Sequence, residues 1–256
     1  MGVKFSWHSD RLIVMNRKSL KITRFKLPTG ELLAGKYEVV ARLGAGWEGE
    51  VYLVREKGTG IERTAKIFFP RRNPSDRALR FYARKLHKLR QCPILIQYHT
   101  QDRFNYRDLE VSFLVSEFID GELLSDFLKR QSGQRLAPFQ GLHLLHALAT
   151  GIEQIHLRGE YHGDLHTDNV IVIRYGLHFD LKLLDMYHWG APNADNIRHD
   201  VFDLVRIFYD ALGGPKHYSK QPQPVKDICR GLKRGLIARE FRSPGKLRQR
   251  LESLEW

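Results

Sequence analysis

The sequence predicts an α+β fold of two lobes: a small antiparallel β-rich lobe with one helix, followed by a larger, mainly helical lobe. Three observations lead to this prediction. Strand-like segments dominate as far as Phe118, helix-like segments dominate after Asp120-Gly121, and a glycine-rich turn joins two of the early strands. We therefore expect the change of lobe near residue 120.

The predicted boundaries divide the chain into three parts. Residues 1–34 form an N-terminal extension, residues 35–119 the first lobe and residues 120–256 the second lobe. The extension is rich in Lys and Arg and alternates loosely between apolar and polar residues, which predicts short strands packed on the first lobe. The apolar residues of this loose alternation are Phe5, Trp7, Leu20, Ile22, Phe25 and Leu27.

The first lobe is predicted from alternation and helical spacing. Residues 37–43, 51–55 and 63–69 alternate as strands do, and a Lys-Gly-Thr-Gly turn separates the last two. Residues 75–89 have apolar side chains at helical spacing, and residues 111–118 form a strongly apolar strand. The lobe is thus a sheet with a single helix.

The second lobe begins with a long helix, predicted over residues 138–156. Two short apolar strands follow, over 170–173 and 181–184. Residues 201–212 are almost wholly apolar, as a buried central helix would be, and the remaining C-terminal residues are predicted to be helical.

Composition limits the classes of function. The 256 residues are 42% hydrophobic and have a formal net charge of +13. Such a chain can bury a core, and its charge attracts anions such as nucleotide phosphates or an acidic partner protein. Two cysteines exclude a disulfide scaffold. Since no apolar run has the length of a membrane span, we expect a cytoplasmic protein; nucleic-acid binding has little but charge in its favour.

A glycine-rich segment, Gly-Ala-Gly-Trp-Glu-Gly-Glu-Val-Tyr over residues 44–52, lies between two predicted strands. Alone, this pattern fits a dinucleotide site, a phosphate-binding loop or an ordinary bulged hairpin. A dinucleotide site requires a helix directly after the glycines, whereas here a strand continues. The context favours a loop that approaches phosphate through its backbone.

Lys66 lies in the middle of the next strand, between apolar neighbours. A lysine in that position favours an anionic partner, because burying its charge unpaired is costly. One hypothesis is contact with the α- and β-phosphates of a nucleotide, and the other is a solvated lysine on an edge strand. Together with the glycine loop, phosphate contact is favoured.

The most specific motif is His-Gly-Asp-Leu-His-Thr-Asp-Asn over residues 162–169. Phosphoryl transfer needs a carboxylate that orients the attacking hydroxyl, for which Asp164 is suited, and oxygen ligands for Mg²⁺. Asn169 and Asp185, at the two ends of a predicted hairpin, are such ligands. A rival hypothesis makes His162 and His166 zinc ligands, although the segment has loop character and structural zinc usually takes four ligands.

These motifs, in this order, resemble those of the protein kinase superfamily over most of residues 36–254. The resemblance implies ATP as phosphate donor and Mg²⁺ as metal, with Mn²⁺ as the alternative. It implies adenine bonds to the backbone of Glu117 and Ile119, with Ser116 as gatekeeper and Glu122 near the ribose. The full implied nucleotide site is Gly44, Ala45, Gly46, Gly49, Val51, Ala65, Lys66, Glu117, Ile119 and Glu122.

The resemblance also implies roles for the acidic residues. Asp164 resembles the catalytic aspartate, with Lys66 as the other catalytic residue, and Asn169 and Asp185 resemble the metal ligands. Asp200 resembles the aspartate at the start of the central helix, which braces the backbone of the catalytic loop, the stretch over residues 162–169.

One departure from the family concerns Lys66. The helix over 75–89 should provide a glutamate for this lysine, but the corresponding position is near Tyr82 and the helix contains no acid. Either another acid pairs with Lys66, or the pair is missing. The helix is instead basic, which suits a solvated face or an acidic partner. Its basic residues include Arg77, Arg80, Arg84, Lys85 and Lys88.

The other departures concern the catalytic loop and the activation segment. Gly163 replaces an arginine that ordinarily binds a phosphorylated loop, which implies activity without loop phosphorylation. His-Gly-Asp resembles the aminoglycoside, choline, Rio-type and lipopolysaccharide kinases. Tyr187 replaces the glycine of Asp-Phe-Gly, and only about fifteen residues separate Asp185 from Asp200, with no Ala-Pro-Glu motif.

The sequence thus favours transfer of the γ-phosphate of ATP to Ser or Thr of a protein. A small-molecule or saccharide kinase is the alternative, because the catalytic loop and short activation segment resemble that class. A third hypothesis is an adaptor that binds nucleotide without catalysis.

Overall fold

The computed structural model describes residues 22–176, 178–186 and 190–255. The chain divides into two compact units. One comprises the residues up to Leu79 together with Gln101–Val115, and the other comprises Arg80–Thr100 and the residues from Ser116 onward. The predicted strands before residue 22, and Tyr187, lie outside the described residues, and the lobe boundaries drawn from the sequence remain predictions.

An antiparallel hairpin series dominates the first unit, as predicted. Six strands form one sheet in the order β1-β2-β3-β4-β6-β5. Strand β5 was not predicted, because its sequence Tyr-His-Thr-Gln-Asp-Arg-Phe-Asn-Tyr is mostly polar. The strands are β1 (Leu32–Leu33), β2 (Tyr37–Ala45), β3 (Gly49–Glu56), β4 (Glu62–Phe68), β5 (Tyr98–Tyr106) and β6 (Leu109–Glu117).

The segment before β1 packs on this sheet without forming a strand of its own over residues 22–31. Phe25 is buried, stacks on Phe69 with ring centroids 5.4 Å apart, and meets Tyr106 edge-on at 5.2 Å. The backbone N–H of Lys26 donates to the hydroxyl of Tyr106 at 3.1 Å. This segment, residues 22–27, therefore contributes to the core of the first unit.

Helix α1 (Arg77–Lys88) is basic, as predicted, but its basic residues are not all on a solvated face. The ammonium group of Lys85 is buried and donates to the carbonyl of Tyr161 at 3.1 Å. Lys88 pairs with Glu160 at 2.7 Å. The solvated-face hypothesis is therefore wrong for Lys85, whereas the side chain of Lys88 is half exposed. Both lysines fasten the helix to the chain at residues 160–161.

The second unit is mainly helical, which confirms the predicted α+β fold class. The long helix and the central helix are both present, and a three-stranded sheet in the order β7-β8-β9 accompanies them. Its strands are β7 (Glu122–Leu123), β8 (Val170–Tyr175) and β9 (His178–Leu183). The helices that follow α1 include the long helix α3 and the central helix α4. They are α2 (Leu124–Arg130), α3 (Pro138–Leu157), α4 (Ala194–Ala211), α5 (Pro215–Tyr218), α6 (Gln223–Cys229), α7 (Arg234–Glu240) and α8 (Pro244–Glu252).

The central helix α4 begins seven residues before the predicted start at Val201. The side chain of Asn193 accepts hydrogen bonds from the backbone N–H groups of Asp195 and Asn196, both at 2.9 Å. This cap allows a polar first turn to precede the apolar stretch. None of the helices in the described part of the chain is long and apolar enough to cross a membrane.

Candidate active site

The glycine-rich segment forms the turn between β2 and β3, as predicted. The N–H of Gly46 donates to the carbonyl of Gly49 at 2.9 Å, which closes the hairpin. A Cβ atom on Gly49 would lie 2.0 Å from the carbonyl oxygen of Ile67, so the sheet itself requires glycine there. A Cβ on Gly44 or Gly46 would meet nothing within 4 Å. The fold therefore does not explain these two glycines, whereas close approach of a ligand would.

Three predicted nucleotide residues form one row across the sheet. Val51 of β3 lies opposite Gly44 of β2 on one side and opposite Lys66 of β4 on the other. Ala65, the neighbour of Lys66, is fully buried. The register thus aligns the start of the glycine loop with the lysine.

The acidic partner of Lys66 comes from the glycine loop. Glu48 Oε2 lies 3.1 Å from Lys66 Nζ, and both side chains are largely buried, with 7% and 15% of their surface exposed. The pair that α1 lacks is therefore replaced from another element. The sequence patterns did not identify Glu48 as this partner. The available indication was an acidic residue beside Gly49 in a chain whose helix α1 contains no acidic residue.

A second buried carboxylate lies two residues further, at Glu50, and is 1% exposed. It accepts hydrogen bonds from the hydroxyl of Tyr52 at 2.6 Å and from the backbone N–H of Phe25 at 3.1 Å. The guanidinium of Arg42 completes the network, with its Nη2 atom 3.0 Å from Glu50 Oε1. Burial and the adjacent carboxylate raise the pKa of Tyr52 far above its usual range, so the phenol stays a donor. The network ties the segment before β1 to the strand that leaves the glycine loop.

In the second unit, His162 opens the catalytic loop and is completely buried. Its Nε2 donates to the carbonyl of Leu184 at 2.9 Å, and its Nδ1 accepts the N–H of Asp164 at 3.3 Å. Burial lowers the pKa of His162, so the ring is neutral in this tautomer. Both ring nitrogens are engaged by backbone, which leaves no lone pair for zinc and argues against the zinc hypothesis.

Asp200 braces this loop from the first half of α4, as predicted. Its carboxylate accepts the N–H of His162 and that of Gly163, each at 2.8 Å, and also Nε2 of His156 at 2.8 Å. Burial alone would raise the pKa of Asp200, but the hydrogen bonds from His156 and the two amides hold it below its ordinary value. Gly163 has a φ of +82°, a conformation that disfavours side chains with a Cβ.

Asp164 and Asn169 are brought together by the loop. The side-chain nitrogen of Asn169 donates to the backbone carbonyl of Asp164 at 2.9 Å and lies 3.3 Å from Asp164 Oδ2. Asn169 is buried, whereas the Asp164 side chain is 49% exposed. The buried Asn169 amide thus orients the Asp164 carboxylate, whose exposed part remains accessible to an acceptor hydroxyl.

The β8–β9 hairpin brings Asp185 to the same end as Asn169. Val170 lies opposite Leu183, and the N–H of Leu184 donates to the carbonyl of Asn169 at 2.9 Å. Asp185 has a φ of +48°, a strained conformation for a residue with a side chain, of the kind that collects at functional sites.

The donor chemistry of this end of the hairpin fits a hard cation. Because the amide nitrogen of Asn169 is committed to Asp164, its carbonyl oxygen is directed elsewhere and can join the Asp185 carboxylate as an oxygen ligand for Mg²⁺. Among the described residues, no three His, Cys, Asp or Glu side chains are grouped to hold a metal. A metal here would therefore depend on Asn169, Asp185 and phosphate oxygens.

The predicted hinge residues are tied to their own unit. Glu117 Oε1 accepts Nζ of Lys182 and the N–H of Gln97, both at 2.9 Å, and the Glu117 N–H donates to the carbonyl of Gln97 at 3.0 Å. The carbonyl of Ile119 accepts the N–H of Gly121 at 3.0 Å. The side chain of Glu117 therefore has a structural role, which leaves recognition of a base to the backbone.

The predicted ribose ligand Glu122 is already engaged. Its carboxylate binds the Arg130 guanidinium through two nitrogens, one of them at 2.9 Å. Ribose binding would have to share this carboxylate with Arg130.

Comparison with known proteins matches this arrangement. The family model described as protein kinase domain matches residues 37–191. The chain is 28% identical over 194 residues to the serine/threonine-protein kinase pkn2 of Myxococcus xanthus, covering 76% of this chain and 22% of that protein. It is 28% identical over 153 residues to a putative cyclin-dependent kinase F-2 of Oryza sativa subsp. japonica, covering 59% of this chain and 46% of that protein.

Among solved structures, the PknI kinase domain of Mycobacterium tuberculosis is similar with a TM-score of 0.60 and 22% identity, over 90% of this chain and 98% of that one. This likeness shows the fold. The chain spans less than two thirds of the length of the curated relatives above. Because the family model matches more than half of the residues, the chain belongs to the protein kinase domain family.

Proposed function

We propose that this chain is an ATP-dependent phosphotransferase that moves the γ-phosphate of ATP to a Ser or Thr hydroxyl of a protein. The observation that carries the proposal is the oriented, half-exposed carboxylate of Asp164, held by Asn169 in a loop that Asp200 braces. Membership of the protein kinase domain family, whose members generally use ATP and Mg²⁺, supports it.

Each predicted nucleotide residue has a role in this proposal. The backbone around Gly44, Ala45 and Gly46 cradles phosphates, and Lys66 neutralises the α- and β-phosphates. The backbone of Glu117 and Ile119 binds adenine. Gly49, Val51, Ala65 and Glu122 complete the proposed site.

Asn169 and Asp185 would hold Mg²⁺, or Mn²⁺ in its place, because both offer hard oxygen donors. The metal, when bound, neutralises charge on the β- and γ-phosphates. Asp164 orients the acceptor hydroxyl and accepts its proton. Since Gly163 provides no arginine side chain for a phosphorylated loop, we propose activity without loop phosphorylation.

A second candidate function, phosphorylation of a small molecule or saccharide, is favoured by one observation. Only residues 186–192 separate Asp185 from Asn193, the cap of α4. A segment of this length offers little surface against which an extended peptide could lie.

The cytoplasmic location stays a prediction. We also propose that an acidic protein binds the side of α1 that carries Arg77, Arg80 and Arg84. Arg77, Arg80 and Arg84 are exposed at a spacing of three and four residues, which places them on one side of the helix. Binding through this side should weaken as salt is added.

The test uses the purified chain with γ-labelled ATP and Mg²⁺, beside Asp164→Ala. Label on Ser or Thr of the chain or of a mixed protein substrate, lost in Asp164→Ala, supports the proposal. Label appearing only on an added sugar or aminoglycoside would favour the second candidate. Nucleotide binding without transfer to any acceptor would leave the adaptor hypothesis and contradict the proposal.

A further inference from the structure

The structural element that carries the acidic partner of Lys66 determines what fixes the orientation of the lysine side chain. In protein kinases the partner is a glutamate on the helix that corresponds to α1, and the position of that helix controls activity. Here α1 contains no Asp or Glu between Arg77 and Lys88. An acid does lie near Lys66 on the same hairpin series, since Glu48 Oε2 is 3.1 Å from Lys66 Nζ.

Glu48 is fixed by the sheet itself. Its backbone carbonyl accepts the N–H of Phe69 at 2.8 Å, and the next residue, Gly49, lies against the backbone of Ile67. Glu48 therefore lies in the turn between β2 and β3, next to the first residue of β3, and its backbone hydrogen bond with Phe69 sets its position.

The Glu48–Lys66 pair is also largely buried. Only 7% of the Glu48 side chain and 15% of the Lys66 side chain are exposed. A buried pair of this kind is weakly screened by solvent, and removal of one partner leaves an uncompensated charge. Glu48 can therefore hold the ammonium group of Lys66 in one place.

Helix α1 has a different set of anchors. Lys85 and Lys88 bind the carbonyl of Tyr161 and the carboxylate of Glu160, within the second unit. Burial lowers the pKa of Lys85, and the Glu160 carboxylate opposes this effect. The polar groups of the helix thus fasten it to the segment before the catalytic loop.

We propose that Glu48 takes the place of the helix glutamate as the positioning residue of Lys66. The orientation of the phosphate-binding lysine then does not depend on the position of α1. This inference rests on the proposed function, in which Lys66 contacts the phosphates of ATP.

The test compares Glu48→Gln with Glu62→Gln, which removes the same charge from an exposed pair with Arg55 on the same sheet. Turnover of Mg²⁺-ATP and nucleotide affinity are measured well below the Tm of each variant. Glu48→Gln should lower kcat/KM for ATP about ten- to hundredfold, mainly through kcat. Glu62→Gln should stay within about twofold of the wild type.

Glu48→Asp keeps the charge on a shorter side chain and is the second variant should Glu48→Gln fail to fold. An intermediate loss supports the proposal. Wild-type kcat/KM in Glu48→Gln or in Glu48→Asp, or tighter ATP binding because Glu48 competes with phosphate, overturns it. Absence of ATP binding and turnover in the wild type would instead contradict the proposed function.

Discussion

Glycines of a single loop are required for different reasons. Gly49 is required by the sheet, because the carbonyl of Ile67 occupies the space of a side chain. Gly44 and Gly46 face open space and have ordinary φ values, so their requirement would come from a ligand. Substitution can separate the two cases.

We expect Gly49→Ala to lower the free energy of unfolding by about 1–3 kcal/mol, because the strands must shift to admit the methyl group. Gly46→Ala should leave stability nearly unchanged and weaken ATP binding. Thermal unfolding and nucleotide titration of both variants provide the measurement. Equal loss of stability in the two variants would contradict this distinction.

Asp203 is a residue whose charge opposes folding. Burial and the neighbouring Asp200 raise the pKa of its carboxyl to about 7, although Arg234 and Arg206 oppose the rise. His199 Nε2 lies 3.5 Å from Asp203 Oδ2, and the Asp164 carboxylate adds to the rise. Because the folded pKa is above the unfolded value of about 3.9, the contribution of this group to stability is present at low pH. It is lost as the pH rises toward 7.

Asp203→Asn removes this titration. The variant should gain Tm relative to the wild type at pH 8 and gain less, or nothing, at pH 5. His162, whose pKa is lowered by burial, acts in the other direction and lowers the stability of both proteins as the pH falls below about 6.5. Unfolding curves across this range test the prediction, and a Tm difference that does not change with pH would count against it.

At the scale of elements, the segment before β1 completes the first sheet. Phe25 fills an aromatic cluster with Phe69 and Tyr106, while its backbone N–H satisfies the buried carboxylate of Glu50. A buried carboxylate without such donors would be costly. Residues 22–27, outside the part matched by the family model, thus support the strand that leaves the glycine loop.

Phe25→Ala should lower the free energy of unfolding by about 3–5 kcal/mol, because a large buried ring is lost. The matched control is Phe139→Ala, since Phe139 is 44% exposed at the start of α3. Chemical denaturation measures both. An equal loss of stability in Phe139→Ala would contradict the prediction that burial in the aromatic cluster gives the Phe25 ring its larger contribution to the free energy of unfolding.

Elements with strong apolar periodicity were predictable from the sequence. Helix α3 was predicted to within one residue at its end, and strands β2, β3, β4 and β6 to within a few residues. Strand β5 was missed because pairing with β6 stabilises a polar sequence, which local propensity does not reveal. The start of α4 was missed because a cap at Asn193, not an apolar pattern, sets it.

The candidate site was predictable where motifs specify it. Asp200 braces the loop that contains Asp164, as the family resemblance implied, and Asn169 hydrogen bonds to Asp164 within that loop. The catalytic role of Asp164 and the metal-binding role of Asn169 stay predictions. The Glu48–Lys66 pair was not predictable, because a contact between the β2–β3 turn and strand β4 depends on the register of β3 and β4 and not on a spacing along the chain. The burial of Lys85 was missed, since a basic run does not reveal partners such as Tyr161 and Glu160 that lie far away in sequence.

At the scale of the whole molecule, each of the two units is held by contacts of its own. One contains the glycine loop and a lysine paired within its own sheet, and the other contains the loop that Asp200 braces. Neither the pairing of Lys66 nor the bracing of Asp164 requires a phosphorylated segment. We therefore expect the protein to be active as purified.

The most direct measurement of this claim is mass spectrometry of the unphosphorylated wild-type chain after incubation with Mg²⁺ and ATP, beside Asp164→Asn and with a mixed protein substrate present. We expect new phosphoserine or phosphothreonine with the wild type, without prior treatment by another kinase, and none with Asp164→Asn. A folded wild type that binds ATP but phosphorylates nothing, or an Asp164→Asn variant as active as the wild type, would contradict it.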